Sequence, residues 1–265
     1  MKSPLRKRLP RELKSEFGKY LVVFIMMAIT IGFVSGFLVA DGSMLRAYDD
    51  SFQKYNIEDG YFQTKKKLTP AQKEDIEKSD VKVYENFYIE QKLTNGSTIR
   101  FFKNRKEVDK VCLMNGKMPK KSGEIAVDRM YADNNELKVG DTVKSRKKTF
   151  RITGLVALSD YSALFQNNND TMFDAVKFGV AIVTDKDFEA LNQVKVQYNY
   201  AWIYDKKPAT EKKEKKMAED LMEDMADVVT IESFVPQYQN QSIHFTGDDM
   251  GSDRAMIVML LYIVM

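Results

Sequence analysis

The sequence is poor in the residue types from which catalytic sites are most often built. It has one histidine, His244, and one cysteine, Cys112, among 265 residues. A single cysteine excludes any intrachain disulfide, and the pair is too small a set for a metal site or a nucleophile relay. No G-x-x-x-x-G-K-[ST] occurs, which excludes ATP binding through a P-loop. Cys112 stands between Val111 and Leu113 and is expected to be a small buried hydrophobe, and His244 a satisfied or solvated histidine. Residues 247–253, GDDMGSD, lack the oxygen-ligand spacing and terminal Glu of a calcium loop and are expected to form an acidic surface loop. No convergent set of acid, base and nucleophile lies along the chain, so we expect no catalytic residues, no metal and no cofactor. The formal net charge is only +3. Because residues 1–19 hold Lys2, Arg6, Lys7, Arg8, Arg11, Lys14 and Lys19 against Glu12 and Glu16, a net +5, the rest carries −2. That balance leaves no basic footprint for nucleic acid.

What the sequence does have is apolar runs at both ends. Residues 20–40, YLVVFIMMAITIGFVSGFLVA, are 21 residues without a charge, long enough as a helix to cross the roughly 30 Å hydrocarbon core of a bilayer. A cleaved signal peptide has a shorter apolar region ending in a small-x-small site, and neither is present. The run is therefore expected to be an uncleaved anchor. The basic leader places the N-terminus in the cytoplasm and everything after Ala40 outside. Residues 256–265, MIVMLLYIVM, are wholly apolar and reach about 15 Å, half a membrane. Two readings stand: a hydrophobic strand packed on the domain, or the start of a second span, with the chain the front of a longer membrane protein. The second is preferred, with Asp248, Asp249 and Asp253 on its outer flank.

Between the runs, 30% charged residues overall and a mean hydropathy of −0.40 indicate a soluble region. A region of this size without disulfides fits a bacterial extracytoplasmic domain that relies on its own core. Leu9, Leu13, Phe17 and Leu21 fall four apart, as in an amphipathic helix at the inner interface or a plain extension of the span. Gly32 and Gly36 form a G-x-x-x-G, a pattern that admits another helix and also follows from the frequency of glycine in spans. Permissive residues carry the helix outward to Gln53. A strand is expected to end near Thr64. Thr69, Pro70 and Gln72 mark a capped helix start, with the helix running to about Ser79. Val81, Val83, Phe87 and Ile89 suggest one alternating strand, and Asn95-Gly96 a hairpin returning through Ile99 and Phe101. Strand 124–127, helix 129–135 and a Val139-Gly140-Asp141 turn into a two-stranded ribbon follow, the ribbon closed by Arg146, Lys147 and Lys148. Residues 159–175 are expected to be a loop, 178–184 a central strand, and Asp185 the cap of a helix reaching Gln193. Strand 196–204, helix 209–227 with Met217, Leu221 and Met225 inward, and strand 228–234 complete an α+β chain, a β-rich 105–195 inserted into its sheet.

The residues Gly116 and Pro119, then Gly123-Glu124-Ile125, Leu137-Lys138-Val139-Gly140-Asp141, Val143, and Phe150 to Gly154 follow an order that resembles the extracytoplasmic domain of MacB/FtsX-type ABC transporter permeases. Gly140, Asp141 and Gly154 are then folding residues at a turn and a ribbon. The layout is similar as well: a basic segment (1–19), a first span (20–40), a domain (41–254) and a second span beginning near 255. The resemblance implies a permease dimer in the lipid bilayer, working with a separate cytoplasmic ABC ATPase whose closure moves the outside domains. It also implies a coupling segment beyond the second span, where this chain has already ended. A reading of another class is a membrane-anchored interaction or sensor domain without transport. The expected partner contact is the loop 160–175, where Tyr161, Leu164, Phe165, Met172 and Phe173 stand among asparagines. Such a loop is either packed onto its own domain or used for binding.

Overall fold

The computed structural model describes residues 11, 12, 14–145, 148–191 and 193–264, and not the side chains of residues 194 and 260–264. Lys2, Arg6, Lys7, Arg8, Leu9, Leu13, the turn residues Arg146 and Lys147, and Met265 lie outside the described residues. The first helix, α1, is Phe17–Lys54, continuous well past the apolar run as the permissive residues to Gln53 require. It is the one helix among the described residues long and apolar enough to cross a membrane, and none of its most apolar stretch is buried by the rest of the chain. The chain forms two compact units: α1 to Ala47 together with the segment from Asp249, and Tyr48–Asp248.

Tyr48–Asp248 is α+β. Its strands are β1 (Gly60–Thr64), β2 (Val81–Glu85), β3 (Tyr88–Lys92), β4 (Thr98–Lys103), β5 (Cys112–Gly116), β6 (Glu124–Asp128), β7 (Thr142–Lys144), β8 (Thr149–Ala157), β9 (Phe178–Val183), β10 (Val196–Tyr204) and β11 (Ile231–Pro236). They join one sheet in the order β11-β1-β10-β3-β4-β9-β6-β8-β5, with β2 on β10 and β7 on β8. The helices are α2 (Pro70–Glu77), α3 (Arg129–Asn134), α4 (Asp185–Ala190), α5 (Glu211–Ala226) and α6 (Gln241–Val264). The start signals at Thr69 act as expected: its side chain accepts from Gln72 N, and the Gln72 side chain bonds back to Thr69 N.

Two apolar clusters hold the sheet. At one end Phe62, Val83, Tyr200 and Trp202 pack with Ile76 of α2 and Leu221 and Met225 of α5. The Phe62 and Tyr200 rings stack at 5.2 Å, and Trp202 stacks on Phe234 at 4.6 Å. At the other end β9 is buried at all six positions, because it lies between parallel β4 and antiparallel β6. This is the central strand that its unbroken apolar, β-branched run predicts. The hairpin β3–β4 packs with this second cluster. As expected, β10 and β11 return to β1.

Several local expectations are corrected. Residues 81–89 form two strands instead of one. Asn86 breaks them, its N bonding Asn199 O at 2.9 Å and its side chain turned in to Asp109. The cap of α4 is Thr184, whose hydroxyl accepts from Asp187 N. Asp185 sits in the first turn instead, where the helix dipole favours a carboxylate, and α4 stops at Ala190. The inward stripe of α5 is Ala218, Leu221 and Met225, with Met217 only partly buried. Residues 247–253 are not a loop but lie within α6. Gly247 has a packing reason to be there: a Cβ would meet the Tyr48 ring at 2.7 Å. Cys112 is half-buried on β5, the last strand of the sheet order, so it is not the enclosed hydrophobe its neighbours suggest.

Candidate functional site

The two faces of the sheet around β1 and β10 differ in chemistry because strand residues alternate sides. Phe62, Tyr200 and Trp202 face the apolar cluster, which sends Tyr61, Gln63 and Asn199 to the other side. There the sheet meets the segment after β8 and the segment around Asn240, and a cavity of about 390 Å³ lies between them. Its floor includes Tyr61, Gln63, Asn199 and Arg100; its roof includes Tyr161, Phe165 and Asn167 to Asn169. Gln63 Nε2 donates to Tyr88 Oη at 3.1 Å and to Asn199 Oδ1 at 3.2 Å. The roof is pinned to α6: Asn168 Nδ2 donates to Gln239 O at 2.9 Å, and its Oδ1 accepts from Gln241 N at 2.9 Å.

A group of buried charges forms one wall. Arg100 donates to Glu90 Oε1 through Nε at 3.0 Å and Nη2 at 2.6 Å, to Tyr161 Oη at 2.6 Å and to Gln166 O at 2.7 Å. Arg105 holds Asp160 in a two-pronged bond of 2.5 and 2.9 Å. Asp109 accepts from Glu58 N at 2.9 Å and from Asn86 Nδ2 at 3.1 Å. Burial, then the neighbouring Asp109 and Asp160, raise the Glu58 carboxyl well above its ordinary range. Burial and Asp160 push Asp109 up to about 7 against the pull of Arg105. Glu58 is thus held toward its protonated form, hydrogen-bonded to Asp109. The cations are matched by Glu90 and Asp160, and burial drives the remaining carboxyls, Glu58 and Asp109, toward their protonated forms.

The same group ties the two ends of the domain together. After α1 the backbone pairs with the loop before β5, Asp109 N to Asn56 O at 3.0 Å and Lys110 N to Tyr55 O at 2.8 Å. Tyr48 Oη donates to Ile243 O at 2.7 Å. Ser162 Oγ, two residues from Asp160, donates to Ser242 O and Ile243 O at 2.9 and 2.8 Å.

The five residues anticipated as a partner contact are divided by the structure. Leu164 and Phe165 are buried. Phe165 meets Phe173 at 5.7 Å and Phe245 at 5.4 Å, edge to face. Tyr161 is held by Arg100, and Met172 is 81% exposed. Gly140 has φ +107° and donates its N–H to Ile152 O at 2.8 Å, while Asp141 Oδ2 accepts from Lys138 N. A Cβ on Gly154 would stand 2.6 Å from Lys117 O. The buried charges were not anticipated. One signal was available: Arg100 interrupts the apolar run Ile99, Phe101, Phe102, as a cation does when its strand faces a polar partner. Among the described residues no group of three or more His, Cys, Asp or Glu is placed to hold a metal.

No family model matches the chain, and no curated protein matches it. Among solved structures it is similar to the extracellular domain of the noncanonic ABC-type transporter YknZ from Gram-positive bacteria, at 12% identity and a TM-score of 0.33, over 66% of this chain and 97% of that one. It is also similar to the periplasmic region of MacB from Actinobacillus actinomycetemcomitans, at 13% identity and a TM-score of 0.33, over 63% and 83%.

Proposed function

We propose that this chain belongs to an ABC transporter permease of the MacB/FtsX type. Its domain stands outside the membrane and moves in response to ATP hydrolysis by a separate cytoplasmic ATPase. The observation that carries this reading is the layout: an apolar helix of spanning length leads into one domain, and a second helix, apolar from Met256 onward, leaves it. The motif order from Gly116 to Gly154 supports it. The bonds from Tyr48 and Ser162 to Ile243, and from Arg105 to Asp160, support it further, because a domain that transmits force needs a stiff joint where the chain enters and leaves. Arg105 and Asp160 are the centre of that joint. Exposed Met172, on the loop that carries Phe165 and Phe173, is the residue of the expected contact set that offers itself to a partner. The N-terminus is cytoplasmic, and two copies assemble in the bilayer.

The test is purification of the chromosomally tagged protein from its native membranes. A protein carrying a P-loop should co-purify in stoichiometric amount and give the assembly vanadate-sensitive ATP hydrolysis. Recovery of the tagged protein with no P-loop partner, under detergents that keep known permease assemblies intact, overturns the proposal in favour of an anchored interaction domain.

A further inference from the structure

Nine of the twenty side chains lining the cavity over β1 and β10 are asparagine or glutamine. Small-molecule sites of roughly 300–1,000 Å³ are ordinarily lined by apolar groups with a few polar ones. At about 390 Å³ this cavity lies at the small end of that range, and its lining is inverted. An amide has two donors and an acceptor with two lone pairs, and several here are unspent. Asn199 is 7% exposed. Its Oδ1 accepts from Gln63, while its Nδ2 has no protein partner among the described residues. The same holds for Gln63 Oε1, the Tyr61 hydroxyl and the Asn169 side chain, all of which line the cavity. Asn199 is buried, Tyr61 and Gln63 are half-buried and Asn169 is exposed, so these open groups line an accessible cavity where an outside partner can meet them.

We infer that the cavity binds a neutral, hydroxyl-rich small molecule, a saccharide of one or two rings. Charge decides against an anion: Arg100 is taken up by Glu90, Tyr161 and Gln166, and Arg105 by Asp160, so an anionic ligand finds no free cation. Polarity decides against an apolar ligand, which would displace water from amides and return no hydrogen bond. A sugar hydroxyl donates and accepts as water does, and it matches amides that offer both functions. Tyr61, Gln63 and Asn199 lie on adjacent strands in fixed register, Gln63 opposite Asn199 and Tyr61 opposite Ala201. The floor is therefore rigid, and Asn169 on the loop contributes from above. This inference does not depend on the transport role, since binding is read on the purified chain without an ATPase.

The experiment is calorimetric titration of the purified full chain in detergent with maltose and with N,N′-diacetylchitobiose. Trialanine and inorganic phosphate are titrated in parallel. Saturable binding of one of the sugars with a Kd of about 1 mM or tighter is expected, with neither trialanine nor phosphate bound. Asn199→Ala and Gln63→Ala should each weaken it at least tenfold. Tyr61→Phe, which deletes only an unpaired hydroxyl, should weaken it several-fold with the melting temperature unchanged, so a folding defect cannot account for the loss. Failure of both sugars to bind overturns the inference. So does binding that all three variants leave intact, and so does saturable binding of trialanine or phosphate in their place.

Discussion

Replacing Glu58 by glutamine should change how stability depends on pH. Glu58 is buried, and its carboxyl is raised well above 4.5, first by burial and then by the carboxylates of Asp109 and Asp160. The direction of the effect follows from proton linkage. Once pH passes the unfolded value of about 4.5, the unfolded chain loses the Glu58 proton while the folded chain keeps it. The folded state then binds one proton more, and its stability falls with rising pH by about 1.4 kcal/mol per unit until the folded carboxyl itself ionises. The difference grows over a window that opens near pH 5. Glutamine carries no such proton. Its Nε2 can donate to Asp109 in place of the acid, and its Oε1 can keep the bond from Asn240 Nδ2. The Glu58→Gln protein should therefore gain on the wild type steadily as pH rises through that window. Urea unfolding of the full chain in detergent, followed by fluorescence, gives the measurement. Trp202 is the one tryptophan in the sequence, and it is buried against Phe234. Parallel stability curves for the two proteins from pH 5 to 7 would refute the raised carboxyl assigned to Glu58.

Other outcomes follow from packing and topology. Gly179→Ala on β9 should cost about 1–3 kcal/mol, because the new Cβ would stand 2.5 Å from the Tyr131 ring; an unchanged melting temperature would mean that Tyr131 moves freely. Leu164→Ala should cost about 2–5 kcal/mol and Met172→Ala no more than about 0.5, which thermal melts of the two variants will separate. In a Cys112→Ser background, a cysteine at Asn95 should react with an impermeant maleimide on intact cells, and one at Ser3 should react only after lysis. The reverse pattern would overturn the orientation.

Much of the fold was legible because its signals are local. The capping residues at Thr69 and Gln72, the Asn95-Gly96 turn and the unbroken run of β9 each report on their own neighbourhood. The misread places are those where a distant residue decides. Asn86 breaks the strand pattern because Asp109 takes its side chain, and position 247 within α6 is a glycine because the Tyr48 ring needs its space. The polar cavity belongs to the same class. Tyr61, Gln63 and Asn199 look like the solvent side of alternating strands, and only the sheet order and the roof from residues 158–169 turn that side into an interior. Part of the loop was readable in kind, since the large apolar groups around Phe165 announced packing or binding. The sequence pattern could not divide Leu164 and Phe165 from Met172, because Leu164 is buried in the cluster around β9 and Phe165 against Phe245 of α6.

The central claim is that nucleotide chemistry in the cytoplasm is felt in the joint where the chain enters and leaves its outer domain. Hydrogen exchange on the co-purified assembly, compared without nucleotide and with ATP plus vanadate, measures this directly. The account predicts altered protection in residues 55–59, 105–110 and 158–162, with the interior of β9 unchanged. Identical exchange in those three segments, in an assembly that hydrolyses ATP, would contradict it.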